Sequence, residues 1–204
     1  MANERRDAAK RLYEVAEGQQ GFFTAKQAKA AGFAENTHPY HVQAGNWIRE
    51  YRGIYRLANF PQAERSDLML WFLWSRNREG SPQGVYSHLT ALSLHDLSDS
   101  MPARLEMTLP LGFRRNSAIP RVLVLHYGNI PDSDIEMIHG VRVTNPIRTI
   151  LDLLAQGDMP VAELRQALRE GLRGGTIRRG EIAEAKKRIV GSKQLLASFE
   201  RVAT

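Results

Sequence analysis

The chain of 204 residues contains no cysteine. That excludes a disulfide framework and a thiolate nucleophile, and it leaves any zinc to histidine and carboxylate ligands. Long apolar runs are also missing. The most apolar stretch, LMLWFLW at 68–74, is flanked by Asp67 and Arg76, falls well short of a bilayer span and reads as a buried helix. The opening segment MANERRDAAKRLYEVAEG is charged and helical in pattern and is not expected to be a signal peptide. There is no internal repeat and no low-complexity tract. These absences suit a protein of the reducing cytoplasm, with no role in a membrane.

What is present is charge, unevenly placed. Residues 1–60 hold nine Lys/Arg against six Asp/Glu, residues 61–170 eleven against thirteen, and residues 171–204 eight against three. A basic head and tail around a slightly acidic middle point to an anionic partner, nucleic acid ahead of membrane. The alternative is that these are ordinary solvated faces.

Residues 4–17 place Ala8, Ala9, Leu12, Val15 and Ala16 on one helical face, and Gly18 and Gly21 end it. Thr24 is a good N-cap for AKQAKAAG, with Gln27 three residues on completing a capping box and Gly32 stopping the helix. A short third helix is expected from about Asn36 to Ala44, with Pro39 in its first turn and Asn36 or Thr37 as cap. WIREYRGIYRLANF then reads as two short strands about an Arg52-Gly53 turn. Three helices followed by a hairpin is the winged-helix order, and a boundary is expected near Pro61.

Beyond it the pattern predicts helices at 62–78 and 86–97, strands in RLEMTLPL, RVLVLHYG and DIEMIHGVRV, then helices at 146–156, 160–173, 179–190 and 192–203. Asn145-Pro146 and Pro160 sit where helix starts accept proline. The expected fold class is α/β (α+β), a winged helix-turn-helix over 1–60 followed by a mixed sheet with flanking helices and a helical tail over 61–204.

Within a helix-turn-helix the second helix braces the third, and the third lays polar side chains on base edges. Thr24, Lys26, Gln27 and Lys29 are placed to reach phosphate. Thr37, His38, Tyr40, His41 and Gln43 offer hydrogen-bonding groups on the third helix, and Arg49, Arg52 and Arg56 put cations on the wing. Trp47, Tyr51 and Tyr55 read as core before contact. His38 and His41 are three apart, but no further ligand stands near them, so no metal and no cofactor is expected.

The runs GFFTAKQAKAAG (21–32) and GNWIREYRGIYRL (45–57) resemble the N-terminal domain of AbiEi-type antitoxins, with Thr24, Gln27, Ala28, Gly32, Arg52, Gly53, Tyr55 and Arg56 matching in place. YSHLTALSLHDL (86–97), MTLPLG (107–112) and VTNPIRTILDLL (143–154) look like the second domain of the same group, so the resemblance covers most of 21–154. It implies a type IV toxin–antitoxin system. Such an antitoxin represses its own operon at inverted repeats and opposes a nucleotidyltransferase-like toxin, AbiEii, without need of a stable complex. It would be a monomer or weak dimer, cooperative on DNA. Arg114, Arg115, Arg148, Arg178, Arg179, Lys186 and Lys187 are then candidates for the surface that opposes the toxin, against simple solubility for each.

An enzyme is not expected. Asp132 and Asp134 alternate like metal-holding carboxylates of the toxin class, but no Gly-Ser turn precedes them at the right spacing. Glu184-Ala185-Lys186 spells a nuclease motif that must lie on a strand, yet the surrounding period is helical. Ser87 with His88, and Asp96 with His95, are adjacent on an expected helix and should point apart. A stand-alone transcriptional regulator and an RNA-binding module remain the alternatives.

Overall fold

Ala8, Leu12 and Ala16 recur once per turn along α1 (Ala2–Glu17) and are all buried, whereas Ala9, expected on the same stripe, faces solvent. The computed structural model describes residues 2–98, 102–115, 118–189 and 191–203. It separates into two units. The first comprises the chain up to Gln83 with His139–Val141, the second Gly84–Ile138 with the chain from Arg142 on.

In the first unit, α1 is followed by β1 (Phe22–Thr24), α2 (Ala25–Ala31), a 3₁₀ turn (Glu35–Thr37), α3 (His38–Gln43), β2 (Trp47–Tyr51), β3 (Ile54–Leu57) and α4 (Ser66–Trp74). The three strands form an antiparallel sheet in the order β1-β3-β2, with Phe22 opposite Arg56 and Trp47 opposite Leu57. This is a winged helix-turn-helix, with β1 as an element the sequence pattern had not indicated. Its core joins Leu12, Ala16, Phe23, Ala28, Ala31 and Trp47. The unit runs past the boundary expected at Pro61. Helix α4 carries buried Leu68, Met69, Leu73 and Trp74 and packs on β1 and β3, because so apolar a helix has to be covered.

The second unit opens with β4 (Val85–Tyr86) and α5 (His88–Leu94), then β5 (Leu105–Leu109) and β6 (Leu123–Tyr127). A 3₁₀ turn (Asp132–Asp134), β7 (Ile135–Ile138) and β8 (Val141–Thr144) precede four helices, α6 (Pro146–Gln156), α7 (Val161–Gly174), α8 (Arg179–Arg188) and α9 (Lys193–Ala203). The five-stranded mixed sheet has the order β6-β5-β4-β8-β7; β4 runs antiparallel to β5 and parallel to β8, and β5 runs parallel to β6. Gly84 leaves no room for a Cβ against Met107 on β5, which lets β4 lie in the sheet.

Helix α6 starts as its sequence demands: the Asn145 side chain accepts from the Arg148 N–H at 2.8 Å, and Pro146 fills the first turn. Its stripe Ile147, Ile150, Leu153 meets Leu164 and Leu168 of α7 and Phe199 and Val202 of α9. Asp132 and Asp134 stand on a 3₁₀ turn, and Glu184 and Lys186 on helix α8, so neither pair has the strand setting its catalytic motif requires.

Candidate nucleic-acid interface

The recognition apparatus is built by fixing α2 at both ends. Thr24 takes an extended backbone; its hydroxyl accepts from the Gln27 backbone N–H at 3.2 Å, and the Gln27 side-chain Oε1 accepts from the Thr24 N–H at 2.8 Å. Gln27 also donates to the Gln19 side chain at 2.9 Å. At the other end Gly32 adopts φ +110°, and the Arg11 guanidinium donates twice to the Ala31 carbonyl, at 3.1 and 2.9 Å. These contacts satisfy groups that a helix end leaves without partners.

Helix α3 then turns one face inward. His38 is 3% exposed, with its ring 5.3 Å from that of Trp47 and 5.8 Å from that of Tyr55. The His41 ring stacks on Trp47 at 4.6 Å with planes 20° apart. Burial, helped by the neighbouring His38, lowers the proton affinity of His41 below its ordinary value. The other face carries Tyr40, 66% exposed, and Gln43, also exposed; they lie three residues apart and share one side of the helix. Thr37 is half-buried and its hydroxyl donates back to the Ala34 carbonyl at 2.6 Å, so it does not serve as the expected side-chain cap.

The wing is short and pinned. Gly53 supplies the left-handed residue of the turn at φ +70°. Its carbonyl accepts from the Ala25 N–H at 3.0 Å and from the Arg76 guanidinium at 3.3 Å, tying the turn to the start of α2 and the end of α4. Arg49 and Arg52 are exposed, and neither has a hydrogen-bond or ion-pair partner among the described residues.

The twelve residues expected to reach DNA therefore fall into distinct groups. Tyr40, Gln43, Arg49 and Arg52 stand in solvent around α3 and the wing, and Lys29 stands exposed with only Glu35, itself exposed, at 3.1 Å. Lys26 is exposed, but its ammonium donates to the carbonyls of Arg78 and Glu79 at 3.1 and 2.5 Å. Thr37 and His41 are half-buried at the edge of α3. Thr24, Gln27, His38 and Arg56 are spent inside the fold: Thr24 and Gln27 cap α2, His38 packs in the aromatic core, and Arg56 is salt-bridged to Glu50 at 2.8 Å with a side chain only 12% exposed. Arg11 and Arg76, which position α2 and the wing, carried no local signal because their partners lie 20 and 23 residues away.

In the second unit, Arg114, Arg178, Arg179 and Lys187 are exposed, Lys187 beside Glu184 at 2.8 Å, while Arg115 and Lys186 are half-buried. Arg148 is turned to structural work, bonding Asp152 at 2.7 Å and the fully buried Asp134 at 3.3 Å. Arg188 donates to the same Asp134 carboxylate at 2.5 Å. Burial raises the pKa of Asp152, with Arg148 opposing the rise.

The Ser87–His88 pair does not point apart. Ser87 is extended, His88 turns to φ +52°, and the Ser87 hydroxyl meets His88 Nδ1 at 2.9 Å. Ser87 is nevertheless fully buried and bonded to the Thr108 hydroxyl at 2.7 Å, so it presents no nucleophile. Behind it His126 lies 2.7 Å from Glu106 and stacks on His88 at 3.7 Å. Burial and the adjacent His126 push His88 down to about 4, which keeps its imidazole neutral near pH 7.

Among known proteins, no curated sequence matches the chain. Of the solved structures, the crystal structure of RV2827C protein from Mycobacterium tuberculosis is similar with a TM-score of 0.48 and 12% identity over 96% of this chain and 79% of that one. Residues 10–58, from within α1 through the whole wing, match the model of a family described as transcriptional regulator, AbiEi antitoxin.

Proposed function

We propose that the protein is a cytoplasmic DNA-binding antitoxin that represses its own promoter at inverted repeats and counteracts a nucleotidyltransferase-like toxin. The observation that carries the DNA reading is the outward face of the winged helix. Tyr40 and Gln43 on α3 offer a ring and an amide to base edges, and Arg49 and Arg52 flank them with unpartnered cations for phosphate. The wing is a tight turn, so Arg52 at its tip reaches the backbone or minor-groove edge as a single side chain. The family match over residues 10–58 supports the regulator class.

The test is a promoter fusion. Expressing the protein in trans should silence a reporter driven by its own upstream DNA, and Arg49→Ala with Arg52→Ala should relieve the silencing. Equal repression by wild type and variant, or none by either, sinks autorepression through this face. The opposition to a toxin is carried in this reading by the exposed cations Arg114, Arg178, Arg179 and Lys187, with Arg148 left out because its charge is already satisfied. Growth rescue from a co-expressed toxin should survive the wing variant and weaken with Arg178→Ala plus Arg179→Ala. A chain that rescues no toxin yet represses its promoter is a stand-alone regulator. Binding to tRNA in preference to duplex DNA would favour the RNA-binding alternative.

A further inference from the structure

The junction of β4 and α5 holds a group of side chains that DNA recognition does not use. The chain passes from strand to helix through Ser87 alone, and His88 takes up the change of direction at φ +52°. That region favours glycine, and Gln20, Asp96 and His139 share it, so the backbone sets the direction of the His88 side chain without by itself assigning the ring a role. The ring is carried into the unit, where His88 is 7% exposed.

Two neighbouring strands bring the partners. Glu106 and Thr108 alternate along β5 and so share a face, and His126 of β6 is opposite Thr108 in the parallel ladder. One nitrogen from each of His88 and His126 and one oxygen of Glu106 all lie within 4.8 Å of one another. The Ser87 hydroxyl, itself held by Thr108, engages His88 Nδ1. With the Ser87 hydroxyl donating to Thr108 and accepting from His88 Nδ1–H, the contact holds the tautomer that leaves a lone pair on His88 Nε2 for a ligand.

We propose that His88, Glu106 and His126 bind one divalent transition-metal ion, with zinc the best fit. Two imidazoles and one carboxylate are a zinc donor set, whereas magnesium and calcium require mainly oxygen ligands. Ligands about 2.0–2.1 Å from zinc stand roughly 3.4 Å apart in a tetrahedron. To hold one ion the three atoms must close to that spacing, and the His88 and His126 rings, stacked with planes 17° apart, must rotate about their side-chain bonds so that each in-plane lone pair meets it. Three protein ligands leave a fourth position for water, and the His126 side chain, 23% exposed, gives that position access from solvent.

The experiment uses the full chain, stripped with chelator and dialysed, then titrated with Zn²⁺ by calorimetry and with Co²⁺ by visible absorption. One equivalent should bind, and Co²⁺ should give the intense d–d bands of a low-coordinate nitrogen–oxygen site. His126→Gln and Glu106→Gln should each weaken binding about a hundredfold, and Ser87→Ala about tenfold through the outer shell. His139→Gln, an exposed histidine outside the cluster, should bind as wild type does. Circular dichroism establishes that each variant is folded. A measurement needing no variant is the long-range ¹H–¹⁵N imidazole spectrum of the wild type, in which two of the six histidines should shift with Zn²⁺. No bound equivalent overturns the proposal. So do shifts assigned to His38 and His41, or unchanged affinity in both His126→Gln and Glu106→Gln.

Discussion

Replacing Arg49 and Arg52 together by alanine should weaken DNA binding by an amount that the wing geometry allows to be worked out. Both side chains are exposed and neither has a partner to lose, so the substitutions remove charge without opening the fold. Each cation on a phosphate releases about 0.9 counterion from B-DNA. Two lost contacts should therefore flatten the slope of log K against log salt by about 1.8. At about 0.15 M salt that corresponds to a roughly 30-fold weaker complex, or about 2 kcal/mol, on any duplex sequence. The assay is fluorescence anisotropy of a labelled duplex at several salt concentrations. Stability is read separately from tryptophan fluorescence, because Trp47, Trp71 and Trp74 all belong to the first unit. Arg56→Ala serves as the contrast. It strands the half-buried Glu50 and should destabilise the unit by about 1–3 kcal/mol, with the salt slope of the folded protein unchanged. An unaltered slope in the Arg49/Arg52 variant, or a fall in its melting midpoint as large as that of Arg56→Ala, refutes the assignment of the wing.

Further outcomes follow from the other contacts. Thr24→Ala should cost about 1 kcal/mol in thermal or urea unfolding through loss of the α2 cap, and a wild-type midpoint would show the capping box to be idle. The pKa of His41 is depressed in the folded state, so the stability it confers is present above its unfolded value of 6.5 and is lost as pH falls through the folded value. Tryptophan-monitored melts from pH 7.5 to 5.5 should then fall further for wild type than for His41→Gln; parallel profiles would contradict this. Asp134→Ala should lower the unfolding midpoint seen by circular dichroism by the equivalent of about 3 kcal/mol, since two guanidinium groups lose a buried carboxylate. A change below about 1 kcal/mol would show that Arg148 and Arg188 are solvated without it.

Features set within a few residues were legible in the sequence. The Thr24–Gln27 box, the Asn145-Pro146 helix start, the glycine stops and the i, i+4 stripe of α1 each depend on neighbours that the pattern displays together. The strands β1 and β4, of three and two residues, are too short to show a period and exist because β3, β5 and β8 pair with them. Residue type also does not reveal a face. Arg56, His38 and Arg148 have the chemistry of contact residues, yet their partners Glu50, Trp47 and Asp134 draw them inward. The His88 group was hidden for two reasons. A helix was expected to begin at Tyr86, which separates Ser87 from His88, and Glu106 and His126 meet only across the β5–β6 ladder.

The central claim, that α3 and the wing read DNA sequence, is tested most directly by anisotropy titration of the full chain on its own upstream duplex. A scrambled duplex of equal length is run beside it, each at about 50 and 200 mM salt. The account predicts tight binding to the upstream DNA and at least tenfold weaker binding to the scrambled duplex, with both complexes weakening as salt rises. Equal affinity for the two duplexes would contradict it, as would binding that ignores salt.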